Sequence, residues 1–289
     1  MIAVVLVGGE GTRLRPLTYT TPKPMLPIAN RPFLEHQVAH LRAHGIDRIV
    51  LACGYRPDAI RAHFGAELEY VVEPEPLGTG GAIAYAARAL TETFVVANGD
   101  VLTDLDLSAL VRFHRDREAR MTLALHPVDD PSRYGVVVTA ADGAVTAFVE
   151  KPPPGDAAAS TINAGTYVVE PEVLGLIPQG RAVSVEYEVF PLLVGAGLYA
   201  RSSDGYWRDI GTPESYLAAN LERMPAGGLV DPSARVDPDA VVTGSVVGPG
   251  CRVEAGATVS GSVLLEGAVV AAGRTVENLV MASDGEPVW

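Results

Sequence analysis

Six apolar residues in succession, IAVVLV (2–7), open the chain and stop at two glycines; RIVLAC (48–53) and FVVAN (94–98) repeat the pattern. Apolar runs of this length, bounded by turn residues, predict strands buried on both faces. Between them the period lengthens. In FLEHQVAHLRAHG (33–45), Phe33, Leu34, Val38 and Leu41 share one face of a helix, and TGGAIAYAARAL (79–90) reads as another. LEYVV (68–72) supplies a further strand. Strand and helix in alternation predict an α/β domain built on a three-layer, mostly parallel sheet. From Met121 to Val169 the helical period disappears in favour of four β-runs, MTLALHPV, YGVVVT, AVTAFVE and TINAGTYVVE. These are expected to extend the sheet or to form a lid over its edge. The helix PESYLAANLERM (213–224) closes the region, and PAGG (225–228) reads as a linker. The expected domains are 1–224 and 229–289.

The tail has a period of its own. Val230, Val236 and Val242 are followed by Val247, Val253 and Val259, then by Leu264, Val270 and Val276. The steps are six, six and five, a repeat of 17, with small or apolar residues four places on at Ala234, Ala240, Val246, Cys251, Ala257, Val263 and Ala268. A six-residue step suits three flat sides of a parallel β-helix, each side sending one residue into a narrow core.

Composition narrows the function. The 289 residues are 48% hydrophobic and 20% charged, enough to bury a sizeable core. The net charge of −13, from 22 basic against 35 acidic residues, argues against a nucleic-acid backbone as partner. Cys53 and Cys251 cannot build a disulfide framework, and the apolar start is too short for a signal peptide or a membrane span. A cytoplasmic protein with no membrane partner is the expectation.

In this acidic chain the cations crowd one place. GGEGTRLRPLTYTTPKPMLPI (8–28) puts Arg13, Arg15 and Lys23 in a glycine loop that leaves the first strand. Neither GxxxxGK[ST] nor GxGxxG is satisfied, since Leu14 stands where the latter needs its third glycine. Glycines after a strand still let backbone N–H groups face an anion, Arg adds a bidentate donor, and Lys adds a compact ammonium. Prolines at 16, 22, 24 and 27 stiffen the excursion so that Lys23 can return to the loop. A phosphate-binding turn is expected. Asp100, after FVVAN, and Asp209, after Trp207, are two carboxylates able to share one Mg²⁺, a hard ion that bridges protein oxygens to phosphates. His36, His40 and His44 recur every four residues without the partners a zinc site needs, and read as helix-surface residues.

The opening stretch, followed in order by EPEPLGTGGAI (73–83), NGD (98–100), FVEKP (148–152), NAGTYV (163–168), SVEYEVFP (184–191) and WRDIGTPESY (207–216), resembles the nucleoside-diphosphate-sugar pyrophosphorylases, the sugar-1-phosphate nucleotidylyltransferases. The tail resembles the hexapeptide-repeat left-handed β-helix. Residues 228–289 contain no His, which argues against an acyltransferase and for a structural or oligomerising tail, with a homo-oligomer expected. The resemblance implies a Rossmann-like nucleotidyltransferase sheet and a catalytic set of Arg13, Lys23 and Lys151, with Asp100 and Asp209 as Mg²⁺ ligands. It implies nucleotide contacts at Leu6, Gly8, Gly9, Gly11, Thr12, Leu77, Gly78, Thr79 and Asn98. Sugar-phosphate contacts are implied at Gly135, Glu150, Lys151, Asn163, Gly165 and Glu186. The substrates implied are a nucleoside triphosphate and a hexose 1-phosphate, and Arg15 is given a structural role. The PLGTxG form points to guanylyl transfer, with GTP and mannose 1-phosphate giving GDP-mannose. The alternatives are a GDP-heptose-forming enzyme and a glucose-1-phosphate thymidylyl- or uridylyltransferase. A catalytically silent nucleotide-sugar-binding subunit would have lost Arg13, Lys23 or an aspartate, and this chain keeps them all.

Overall fold

The computed structural model describes residues 1–54 and 57–289. In chain order the main elements are β1 (Ile2–Leu6), α1 (Phe33–Ala43), β2 (Arg48–Cys53), α2 (Pro57–Phe64), β3 (Glu69–Val72), α3 (Gly78–Ala87), β4 (Phe94–Asn98) and α4 (Leu107–Asp116). Then come β5 (Met121–Pro127), β6 (Gly135–Thr139), β7 (Val145–Glu150), β8 (Thr161–Val169), β9 (Leu198–Ser202) and α5 (Pro213–Arg223).

Among the described residues, β1 to β9 form one sheet in the order β7-β6-β8-β4-β1-β2-β3, with β5 added to β8 and β9 to β5. The strands β3, β2, β1 and β4 run parallel. The β-runs after Met121 extend this sheet: β8 joins β4 antiparallel, and β5 and β6 join β8 antiparallel. Alternation along the parallel strands explains their unbroken apolarity. Val4, Val50, Ala52, Phe94 and Val96 meet Ala82, Ile83, Ala86 and Ala87 of α3 on one face. Ala3, Val5, Ile49, Leu51 and Val95, on the other face, are no more than 1% exposed. A sheet covered on both sides leaves only strand ends and connecting loops to face a ligand.

The described residues sort into two compact units: Met1–Gly9 with Gln37–Trp207, and Glu10–His36 with Arg208–Trp289. Chain order alone puts the segment 10–36 with the sheet; contact groups it with the tail.

The second unit holds the repeat. Leu229, Val246, Val263 and Val280 pair in parallel register, each 17 residues from the last. Arg235, Arg252 and Val269 do the same in a second sheet, and Val241, Thr258 and Thr275 in a third. Three parallel sheets of this kind are the architecture of the left-handed β-helix. Its core is Val247, Val253, Val259, Leu264, Val270 and Val276, with Cys251, Ala257 and Ala268 filling the corners. Val230 and Val236 occupy equivalent positions but are 45% and 36% exposed, because their coil ends the stack and is covered on one side only.

The segment 10–36 has little regular structure: three-residue 3-10 turns at Thr12–Leu14 and Lys23–Met25, one helical turn at Leu17–Thr20, and a hairpin pairing Pro27–Ile28 with Arg31–Pro32. Ala29 and Asn30 turn the hairpin with φ of 47° and 61°, a left-handed pair that L side chains rarely adopt. Hydrogen bonds compensate: Ala29 N–H donates to Asn220 Oδ1 of α5 at 2.9 Å, and Asn30 Nδ2 to the Val247 carbonyl at 2.9 Å. Helix α5 is well specified at its start, where Thr212 and Ser215 form a capping box and Pro213 takes the first turn.

Candidate active site

In the first unit, the carboxyl ends of the parallel strands meet. Leu6 pairs with Asn98, and the Gly99 N–H donates to the Leu6 carbonyl at 2.9 Å. Gly99 packs so tightly on Leu6 and Val7 that no side chain fits there. Asp100 follows, partly buried. The turn is braced by Gln37 of α1, whose Nε2 donates to the carbonyls of Asn98 at 2.7 Å and Val101 at 2.9 Å. Past β1, Gly8 lies against Gly54, with Glu73 close by, and Gly9 has open space where a Cβ would be. Glu73 Oε2 accepts from the Leu77 N–H at 3.0 Å, so this carboxylate anchors the loop that opens α3.

That loop is sewn to residues 183–186. Gly78 has φ +70° and approaches the Val183 backbone so closely that a Cβ would sit 2.6 Å from its carbonyl oxygen. Thr79 Oγ1 donates to Glu186 Oε2 at 2.7 Å and accepts from the Val185 N–H at 2.9 Å; Ser184 Oγ donates to the same carboxylate oxygen at 2.7 Å. Thr79 and Glu186, expected on opposite substrates, are therefore direct partners. Residues Val185–Val189 form a π-helical turn, a form common at functional sites.

A second cluster surrounds Lys151. The β7 strand ends at Glu150, and Lys151 follows with φ +49°, its N–H donating to the Tyr134 carbonyl at 2.9 Å. The Lys151 ammonium is 3.3 Å from Glu150 Oε1, with the Lys side chain 62% exposed and the Glu side chain 10%. Burial raises the Glu150 carboxyl above its usual range and the charge of Glu186 adds to this, against an opposing pull from Lys151. Gly135 has to be glycine: a Cβ there would lie 2.6 Å from the Phe148 ring and 2.7 Å from Glu150 Oε2. Along β8, the register against β5 shifts between Asn163 and Tyr167. In that irregular stretch, the Gly165 N–H donates to Asn163 Oδ1 at 3.0 Å and Asn163 Nδ2 to the Tyr167 hydroxyl at 3.0 Å. Gly165, at φ +73°, backs onto the Asn98 side chain, 2.8 Å from where a Cβ would stand. Burial raises the Tyr167 phenol well above its ordinary value; the charges of Glu186, Glu150 and Asp100 add to it. Trp207 ties the cluster together: its Nε1 donates to the Ala164 carbonyl at 3.0 Å, and its ring meets Tyr134 edge-on at 5.4 Å.

The second unit assembles the cations of the glycine loop. Gly11, at φ +64°, leaves room for Thr18 and Lys23, whose Cγ2 and Cβ stand 2.9 and 3.2 Å from where a Cβ would be. The Gly11 carbonyl accepts from Thr18 Oγ1 and from the Leu14 N–H, both at 2.9 Å, which closes the turn around Thr12 and Arg13. Lys23 is thereby returned to the glycine loop and is only 8% exposed. Arg13 meets Asp209 at Gly211: the guanidinium Nη2 and the carboxylate Oδ1 lie 2.6 and 2.7 Å from the point a Cβ would occupy. Arg15 pairs with Glu10 at 3.4 Å and lies over the Tyr19 ring at 5.2 Å.

The anticipated residues thus fall into two sets. Gly11, Thr12, Arg13, Lys23 and Asp209 belong to the second unit, and the remainder to the first. Four residues not among the expected site residues also matter: Gln37 and Gly211 touch expected site residues or their backbone, Trp207 donates to the Ala164 carbonyl between Asn163 and Gly165, and Trp289 donates from its Nε1 to the Arg15 carbonyl at 3.0 Å. Gln37 and Trp289 have partners remote in sequence and no local signal marks them; Trp207 and Gly211 both lie inside the WRDIGTPESY motif.

Among the described residues, no group of three or more His, Cys, Asp or Glu is arranged to hold a metal, and no helix is long and apolar enough to cross a membrane. Asp100, in the first unit, and Asp209, in the second, are oxygen donors of the kind Mg²⁺ takes beside waters and substrate phosphates.

The family model described as nucleotidyl transferase matches residues 2–224. A mannose-1-phosphate guanylyltransferase of Mycobacterium tuberculosis is 48% identical over 232 residues, covering 76% of this chain and 64% of that protein. A mannose-1-phosphate guanyltransferase of Eremothecium gossypii is 38% identical over 266 residues, covering 82% and 73%. The matched regions therefore leave a third of the first relative and about a quarter of the second uncovered. Among solved structures, HddC from Yersinia pseudotuberculosis complexed with GMP-PN is 31% identical, with a TM-score of 0.65 over 76% of this chain and 98% of that one. The chain belongs to the nucleotidyl transferase family.

Proposed function

We propose that this protein is a mannose-1-phosphate guanylyltransferase, making GDP-mannose and pyrophosphate from GTP and mannose 1-phosphate. The observation that carries the reading is the 48% identity, over 232 residues, with a relative named for that reaction. The local geometry of each unit is in keeping with it: Arg13 and Lys23 belong to the glycine loop of one, and Lys151 stands beside Glu150 in the other.

A phosphate oxygen of the sugar 1-phosphate attacks the α-phosphorus of the nucleotide in line. The new P–O bond forms as the bond to the β-phosphate oxygen breaks, and pyrophosphate leaves with the electron pair. A phosphate monoester is already an anionic nucleophile, so neither a covalent intermediate nor a strong base is required. The protein's work is to align two polyanions that repel one another and to neutralise charge as it builds. Arg13 and Lys23 brace the triphosphate and the departing pyrophosphate. Lys151, lifted into solvent by its left-handed backbone, holds the sugar phosphate. The buried Glu150 carboxylate accepts from hexose hydroxyls, beside Asn163, Gly165 and the backbone at Gly135. The loop at Leu77–Thr79 and the glycines at 8, 9 and 11, with Leu6, Thr12 and Asn98, line the nucleotide. Asp100 and Asp209 would hold Mg²⁺, which when bound supplies charge neutralisation at the phosphates.

The test is pyrophosphate release across the four common nucleoside triphosphates and a panel of sugar 1-phosphates. GTP with mannose 1-phosphate is expected to give the highest kcat/KM. Release with no pair would overturn the reading, and preference for another nucleotide would overturn its guanylyl part.

A further inference from the structure

The segment that carries Arg13 and Lys23 has no element longer than one helical turn before the hairpin at Pro27. Pieces this short do not hold themselves in place, since helix formation needs a longer hydrogen-bonded run to offset its nucleation cost. Their order has to come from contacts, and the repeat tail and α5 provide several. The Trp289 indole donates to the Arg15 carbonyl at 3.0 Å, two residues from Arg13. The same ring meets Tyr216 of α5 edge-on, 6.0 Å between centroids. Tyr216 is fully buried, and its hydroxyl donates to the Pro27 carbonyl at 2.7 Å. Asn220 and Val247 hold the hairpin turn at Ala29 and Asn30. Lys23 lies between these two anchor points, Arg15 on one side and 27–30 on the other.

We propose that the β-helix tail is the mount of the nucleotide-side loop, and that Trp289 is a positioning residue for Arg13, fixing through the Arg15 carbonyl the turn that presents the guanidinium to the triphosphate. The tail then sets nucleotide affinity without touching nucleotide. This rests on the assignment of Arg13 to the nucleotide, made above. The Val247 carbonyl provides the second hold, so the segment is tied to the tail at two places, Val247 and Trp289.

Trp289→Phe keeps an aromatic ring, though a smaller one, beside Tyr216 and removes the N–H donor. Losing one such hydrogen bond corresponds to about a 3- to 10-fold change. In the full-length protein this variant is expected to raise KM for GTP by that factor and leave KM for mannose 1-phosphate unchanged. Backbone amides of residues 11–23 are expected to exchange with solvent faster than in the wild type. Trp289→Ala removes ring and donor together, and is expected to enlarge both effects. A purely structural role would lower the unfolding midpoint without separating the two KM values. An active wild type with both KM values and the loop exchange unchanged in Trp289→Phe would overturn the inference. A wild type inactive on every substrate pair would instead overturn the functional reading, and the exchange measurement would still decide whether Trp289 orders the loop.

Discussion

Lys151 stands at the end of a six-residue strand paired along its length with β6, whereas Arg13 stands in a 3-10 turn of three residues. Strand register fixes the first: once β7 pairs with β6, Glu150 faces Gly135 and Lys151 follows at a set place. No register fixes the second. Arg13 depends on the Gly11 turn, on Gly211, and on side chains reaching in from α5 and the repeat. The two halves of the proposed reaction are thus supported in different ways. A strand end tolerates little side-chain intrusion but supports itself, and an irregular loop can move unless something holds it. Glycine marks both places, Gly135 under the Glu150 carboxylate and Gly211 under the Arg13 guanidinium.

That pair gives the sharpest way to break the comparison. Gly211→Ala would push a methyl to within 2.7 Å of both Arg13 Nη2 and Asp209 Oδ1, and Gly135→Ala would do the same to Phe148 and Glu150. Overpacking of this kind costs about 1–3 kcal/mol, roughly 10- to 100-fold where it falls on binding. Steady-state kinetics are expected to show Gly211→Ala losing GTP affinity and turnover, and Gly135→Ala losing mannose 1-phosphate affinity. A similar loss on the same substrate in both variants would contradict the division.

A smaller effect concerns Glu150 and stability. Its carboxyl is raised in the folded protein, chiefly by burial, so the folded state holds the proton more tightly than the unfolded chain does. The sign follows from linkage: the contribution to stability is complete below the unfolded value of about 4.5 and is lost as pH rises through the folded value. At neutral pH the charged Glu150 therefore weakens the fold, and its pairing with the exposed Lys151 offsets little of that. Glu150→Gln is expected to unfold at a higher temperature than wild type at neutral pH, with the gap narrowing towards pH 4.5, while mannose 1-phosphate binding is lost. A gap independent of pH would contradict the burial argument.

What the sequence reveals of this molecule is what repeats or alternates locally. The buried runs 2–7, 48–53 and 94–98 became the adjacent parallel strands β1, β2 and β4. The 17-residue period became the coil length, down to the pairing of Leu229 with Val246. Lys23 lies back against the glycine loop, as expected, its Cβ 3.2 Å from where a Cβ of Gly11 would stand. Contacts between distant residues left no such trace. Thr79 meets Glu186 107 positions away, and Trp289 meets Arg15 across 274. Each depends on where elements finally pack, and neither residue type is unusual in its neighbourhood. The three spaced histidines were half legible: His36 and His40 sit on α1 and His44 just past its end, yet His36 is partly buried against the Ile28 carbonyl at 2.9 Å and is not a plain surface residue.

The central claim is that Arg13 serves the nucleotide and Lys151 the sugar phosphate. The direct test is a side-by-side measurement of both KM values and kcat in Arg13→Gln and Lys151→Gln. Each variant is expected to lose on the order of 10²–10³ in kcat/KM, as when one preorganised donor is removed. Arg13→Gln should raise KM for GTP alone, and Lys151→Gln should raise KM for mannose 1-phosphate alone. Two variants that weaken the same substrate, or a Lys151→Gln protein with unchanged kinetics, would contradict the account.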